Sequence, residues 1–210
     1  MNNIFIKICG ITNLDDAITA ANSGANAIGF VAFRKSARFI NEEKVAEVCN
    51  KLPIEILKVG VFVNASTDLI KKYLQSGINI IQLHGDETQE YRYSLTEKVE
   101  VWKAVRLESV QSVEKYKSYP ADKFLIDTFT DGKYGGSGIP CNRELAKFAV
   151  SCFGKPVILA GGLTPDNVAE IIKFVQPFGV DVSSGVESSA GKKDHSLVRK
   201  FIDAIRKTDS

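Results

Sequence analysis

The feature that most constrains this chain is an alternation repeated eight times from one end to the other. A short run of apolar, β-branched residues is followed by a longer segment whose apolar residues fall three and four apart. The runs are Ile4–Cys9, Ala27–Ala32, Glu55–Val63, Ile78–His84, Glu100–Arg106, Lys123–Asp127, Lys155–Ala160 and Val180–Ser183. Leu14 to Ala21 and Val168 to Val175 typify the segments between them. With 210 residues, each unit has roughly 26, enough for a strand, a helix and two short loops. Strands that alternate with helices pair in parallel. The pattern therefore predicts an α/β chain, residues 1–210, folded as a single (β/α)8 TIM barrel. An open doubly wound sheet has the same alternation, but no Gly-x-Gly-x-x-Gly fingerprint follows the first run.

Local punctuation agrees with this reading. Thr12 or Asn13 precedes the first helical segment, Ser66 the third, and Thr164-Pro165 places a hydroxyl at N-cap and proline at N1 of the seventh. Gly24 and Gly77 stand where a helix ends in a left-handed residue. The longest stretch without pattern, Thr128–Pro140, is glycine-rich and follows the sixth run, as a binding loop or lid would.

Composition narrows the class of partner. A net charge of +2 is too small to argue for nucleic acid or an anionic membrane surface, so basic residues that matter act locally. No apolar stretch approaches the roughly 18 residues of a membrane span, and the first residues lack the pattern of a secretory signal. Cys9, Cys49, Cys141 and Cys152 are scattered, without metal-ligand spacing, which fits free thiols in a cytoplasmic protein and no metal site.

In such a barrel the reactive groups collect where strands end, at the C-terminal face. Cys9 closes the first strand, and period-two alternation puts Lys7 on the same inward face, where an ammonium favours the thiolate. The plainer alternative is a small buried hydrophobe. Asp127 closes the sixth strand. Desolvation at a barrel mouth favours the neutral form of a carboxyl and equips it to donate a proton, although a carboxylate there also serves as a helix cap. Gly161-Gly162 and Ser183-Ser184-Gly185 close the seventh and eighth strands, where barrels bind phosphate through main-chain N–H groups. Gly138, in the long loop, is placed to close over the same anion. Arg38, beyond the second strand, suits a carboxylate or phosphate fork if it is not merely solvated. His84 and Asp181 complete the set. The direction of Asp181 depends on where the last strand ends.

These residues sit in motifs that resemble the phosphoribosylanthranilate isomerase family. The motifs are Lys7-Ile8-Cys9-Gly10-Ile11-Thr12, Gly29-Phe30-Val31, Val59-Gly60-Val61-Phe62-Val63-Asn64, Gln82-Leu83-His84-Gly85, Leu159-Ala160-Gly161-Gly162-Leu163 and Asp181-Val182-Ser183-Ser184-Gly185-Val186-Glu187. They run in order along the chain, and the closing Gly191-Lys192-Lys193-Asp194 also fits; Ile139-Pro140-Cys141-Asn142 departs from the family pattern. The resemblance implies a cofactor-free Amadori rearrangement in tryptophan biosynthesis, acting on a small phosphorylated substrate, N-(5-phospho-β-D-ribosyl)anthranilate. It implies Asp127 as general acid and Cys9 as general base. Arg38 would hold the anthranilate carboxylate, the backbone near Gly162, Ser183 and Ser184 the phosphate, and His84 and Asp181 would lie beside the substrate. Either a monomer or a homodimer is compatible with it.

Two other readings compete. The analogous aminoaldose isomerase of histidine biosynthesis, or a bifunctional enzyme, would be expected to show aspartate where Cys9 stands. A phosphate- or flavin-binding barrel without catalysis would leave Cys9, Asp127 and Arg38 without a task.

Overall fold

A computed structural model describes residues 4–95, 98–128 and 143–208. Gly138, Cys141 and most of the glycine-rich loop lie outside these residues.

The apolar runs become β1 (Phe5–Cys9), β2 (Ala27–Val31), β3 (Leu57–Phe62), β4 (Ile80–Leu83), β5 (Glu100–Leu107), β6 (Lys123–Thr128), β7 (Val157–Leu159) and β8 (Gly179–Val182). Each pairs in parallel with the next, and β8 closes on β1 with Lys7 opposite Asp181. The open-sheet alternative is thereby excluded. Several expected strands were longer at one or both ends than those that form, because the flanking residues turn toward loops.

Period-two alternation divides each strand between two cores. Ala27, Val59, Ile80, Trp102, Leu125 and Ile158 fill the barrel interior with Phe5 and Leu57 packed beside them. The intervening residues, among them Ile6, Ile8, Ile28, Ile81, Val101 and Val105, face the helical shell. That shell comprises α1 (Leu14–Asn22), α2 (Glu42–Cys49), α3 (Thr67–Gln75), α4 (Gln89–Ser94), α5 (Val110–Tyr116), α6 (Arg143–Cys152), α7 (Val168–Val175) and α8 (His195–Arg206). No helix among the described residues is long and apolar enough to cross a membrane.

Asn13 caps α1 by accepting from the Asp16 N–H, and Ser66 caps α3 by accepting from Leu69. Gly24 and Gly77 adopt positive φ just past α1 and α3. One expected boundary is corrected. The seventh helix starts at Val168 instead of beside Pro165. Asn167 accepts from the Thr164 N–H at 2.8 Å and donates to the Gly162 carbonyl at 2.9 Å, bracing a turn where a helical start was expected. A further element, unforeseen from sequence, follows β8: a short 3-10 turn (Ser184–Val186) and a hairpin of β9 (Glu187–Ser189) with β10 (Lys192–Lys193).

Candidate active site

An open pocket lies at the C-terminal face of the barrel, with about 590 Å³ of space that includes its opening to solvent. Cys9, Arg38, His84, Asp127, Gly161, Gly162, Asp181, Ser183, Ser184 and Gly185 all line it. These are all the residues singled out above except Gly138, which lies outside the described residues. Arg34 stands apart, stacked over the Phe39 ring.

Strand closure builds the thiol side. Phe5, Lys7 and Cys9 alternate inward along β1, while Ile6 and Ile8 face the helices. Cys9 is opposite Gly29 in register, and a Cβ at that glycine would come within 2.7 Å of the Cys9 sulfur. Only a bare backbone at position 29 gives the thiol room. Lys7 is fully buried, and its Nζ donates to Asp181 Oδ1 at 2.9 Å. Burial pulls the Lys7 ammonium toward neutrality, but the charges of Asp181 and Cys9 outweigh it and hold the group charged above the ordinary lysine range.

Burial also dominates Cys9, pushing the thiol above its ordinary value of 9.0; Lys7 pulls it down, and Asp181 opposes Lys7. The expected push of Lys7 toward thiolate is therefore present but outweighed. The ammonium is shared with a carboxylate, and the sulfur is removed from water. Asp181 points into the cavity, which answers the question left open by its place beside the strand end.

The carboxyl side is built by β4 and β6. Asp127, 5% exposed, meets His84 Nε2 at 3.2 Å through Oδ2. His84 Nδ1 in turn faces the Gln82 amide nitrogen at 2.9 Å. With that amide nitrogen as donor, Nδ1 accepts and Nε2–H is left to donate to Asp127. Gln82, wholly buried, meets the ring nitrogen of His84 that faces away from Asp127. Sequence reasoning did not assign it, although it stands in the quoted β4 motif.

Gly161 and Gly162 have φ of +87° and +64°, a conformation that disfavours residues with side chains. A Cβ at Gly185 would fall 1.9 Å from the Leu163 carbonyl oxygen, so the backbones after β7 and β8 touch. Among the described residues, the N–H groups of Gly162, Ser184 and Gly185 meet no acceptor within the chain. Such a cluster suits a phosphate. Among the described residues no group of three His, Cys, Asp or Glu side chains is placed to hold a metal ion. Cys9, Cys49 and Cys152 are free thiols.

Sequence reasoning also passed over Glu187 and Lys193. Both fell within quoted motifs without a role. Glu187 grips Arg38, and Lys193 grips Glu187.

Comparison with known proteins places this geometry. The model of the N-(5'phosphoribosyl)anthranilate (PRA) isomerase family matches residues 6–204. The N-(5'-phosphoribosyl)anthranilate isomerase of Thermotoga neapolitana is 47% identical over 198 residues, 94% of this chain and 96% of that one. The crystal structure of phosphoribosyl anthranilate isomerase from Thermotoga maritima superposes with a TM-score of 0.90 at 38% identity, covering 97% of this chain and 99% of that one. A structure of a phosphoribosyl anthranilate isomerase in complex with reduced 1-(o-carboxyphenylamino)-1-deoxyribulose 5-phosphate superposes with a TM-score of 0.87 at 37% identity, with the same coverage. Matched along nearly its whole length in both sequence and fold, the chain belongs to the N-(5'-phosphoribosyl)anthranilate isomerase family.

Proposed function

We propose that this cavity carries out the Amadori rearrangement of N-(5-phospho-β-D-ribosyl)anthranilate to 1-(2-carboxyphenylamino)-1-deoxyribulose 5-phosphate. The chain is an intramolecular aldose–ketose isomerase of tryptophan biosynthesis. One observation carries the residue assignment: a thiol from β1 and a carboxyl from β6 line one cavity, between an arginine and a cluster of main-chain amides.

Asp127 donates a proton to the furanose ring oxygen. The C1′–O bond breaks, and its electrons leave with that oxygen as the anthranilate nitrogen lone pair forms the Schiff base. His84 Nε2–H then steadies the resulting carboxylate. Cys9 takes the C2′ proton, and the C–H electrons move into the enolamine, which tautomerises to the ketone. Lys7 and Asp181 hold the polar surroundings of the sulfur. Arg38 receives the anthranilate carboxylate, while the amides of Gly162, Ser184 and Gly185, with Gly161 and Ser183 shaping the turns, hold the phosphate. Gly138, the remaining residue of the phosphate-binding assignment, lies outside the described residues. Fixing both ends of the substrate places acid and base on opposite sides of one sugar, and such positioning is worth several orders of magnitude.

Residues 1–210 act as one catalytic domain. The functional unit is a monomer or a homodimer, and the assigned groups that line the cavity all come from one chain. Free, scattered thiols support a cytoplasmic setting. The test is direct. Purified protein, incubated with EDTA, is expected to consume phosphoribosylanthranilate as followed by loss of its fluorescence. A folded protein that leaves the signal unchanged overturns the reading.

A further inference from the structure

Arg38 is already held in the cavity wall. Its Nε and Nη2 donate to the two Glu187 oxygens at 2.8 and 2.7 Å, a bidentate fork along one side of the guanidinium. Nη1 has no hydrogen-bond partner among the described residues. Glu187 is nearly inaccessible, its side chain 4% exposed against 18% for Arg38. Its Oε1 also accepts from Lys193 Nζ at 2.8 Å, and the wholly buried Lys193 side chain donates to the Ser183 carbonyl at 3.1 Å. Neither Glu187 nor Lys193 lines the cavity.

The hairpin that carries the triad is itself anchored. The Lys193 N–H donates to the buried carboxylate of Asp16 at 2.8 Å, and Thr12 donates to the Gly191 carbonyl at 2.6 Å. Continuous polar contact therefore runs from the guanidinium, through Glu187 and Lys193, to the main chain beside the amide cluster. Burial pushes the Glu187 carboxyl up, but the hydrogen bond from Arg38 and the charge of Lys193 outweigh it, and the group stays ionised.

Stability alone is a weak reason for this arrangement, because a buried ion triad is often no better than well-packed apolar residues of the same volume. Its geometry has a more specific consequence. An unbound arginine side chain loses rotamer freedom when a ligand fixes it; here much of that ordering precedes binding. The fork occupies the Nε/Nη2 edge and leaves the Nη1 edge for another carboxylate.

We propose that Glu187 and Lys193 are positioning residues: Glu187 fixes Arg38 to present its open edge to the aromatic carboxylate, and Lys193 registers that edge against the Ser183–Gly185 main chain that holds the phosphate. The inference rests on the functional reading above. It adds that the two ends of the cavity are coupled through groups that do not touch the substrate.

A double-mutant cycle tests it. Glu187→Gln keeps the shape but loses the charge. It is expected to raise KM about tenfold, with kcat within about threefold and the inhibition constant of inorganic phosphate unchanged; tenfold is the effect of one such interaction, about 1.4 kcal/mol. In an Arg38→Ala background the same substitution should add less than twofold, and Glu187→Asp should restore part of the lost affinity. Lys193→Met should raise both KM and the inhibition constant of inorganic phosphate. Melting curves identify folded variants, and if the glutamine variant does not fold, Glu187→Asp takes its place in the cycle with the same criterion. Additive effects of the Glu187 and Arg38 substitutions, an unchanged KM, or a Lys193→Met protein with normal phosphate inhibition each overturn the proposal. Absence of wild-type turnover would instead sink the functional reading.

Discussion

Lys7 on β1 and Lys103 on β5 are both fully buried, and each meets a carboxylate, Asp181 at 2.9 Å and Glu87 at 3.0 Å. Their strands send them in opposite directions. Lys7 points into the barrel beside Cys9, whereas Lys103, flanked by the inward Trp102, points out into the helical shell and over the Tyr119 ring. Lys103 Nζ also donates to the Gly85 carbonyl at 2.6 Å, and Glu87 accepts from the Asn64 and Gly85 N–H groups.

The outcome differs as well. Burial wins at Lys103 and holds its ammonium below the ordinary lysine range, while Asp181 and Cys9 win at Lys7. A buried lysine thus follows its company. The outward one braces the β4–α4 loop, and the inward one sets the electrostatics of a reacting thiol.

The inward region should dominate activity. Asp127→Asn and Cys9→Ala are each expected to cut kcat by about 100- to 10,000-fold, the usual worth of a positioned acid or base, in stopped or continuous fluorescence assays. A folded variant with full turnover would remove that group from the mechanism. Lys7→Met comes next. The thiol loses an influence that lowers it, so a smaller share is thiolate and kcat/KM at neutral pH should fall, by less than in Cys9→Ala. The melting point of the Lys7 variant should suffer less, because Asp181, though buried, lines the open cavity.

Lys103→Met inverts this. Glu87, with its side chain 2% exposed, would be left as an uncompensated buried charge. A loss of about 3–5 kcal/mol, on the order of 10 °C in a thermal melt, is expected, with kcat/KM within about threefold. Equal activity losses at the two lysines would erase the distinction drawn here.

The smallest effect is a shift in pH dependence. Thiolate is the basic form, so its fraction grows as pH rises through the raised Cys9 value. The ascending limb of kcat/KM should therefore lie above the ordinary thiol value of 9.0. Lys7→Met removes a lowering influence and should move that limb further up, whereas Lys103→Met should leave it in place.

The barrel was readable because each strand is a short apolar run and most helices are longer amphipathic ones, signals that survive without tertiary context. The strand-end residues were readable for the same reason, since knowing the face of a barrel tells where its chemistry collects. The hairpin after β8 was not. Glu187-Ser188-Ser189 and Lys192-Lys193 have no apolar alternation to announce a strand, and they pair only because Asp16 and Thr12 hold them. Nor could the sequence reveal that the Arg38 fork is met by a carboxylate 149 positions away. The regular helix begins at Val168 instead of Pro165, after a turn in which the Thr164 carbonyl accepts from the Asn167 and Val168 N–H groups and the Asn167 side chain accepts from the Thr164 N–H.

Closure of β8 on β1 has a consequence for synthesis. The thiol strand is made before β8, which carries its partner Asp181, 174 positions later. A truncated product can hold helices and adjacent strand pairs, but it lacks the counter-ion of Lys7 and the serine turn together. Competence to turn over substrate therefore arrives late and all at once.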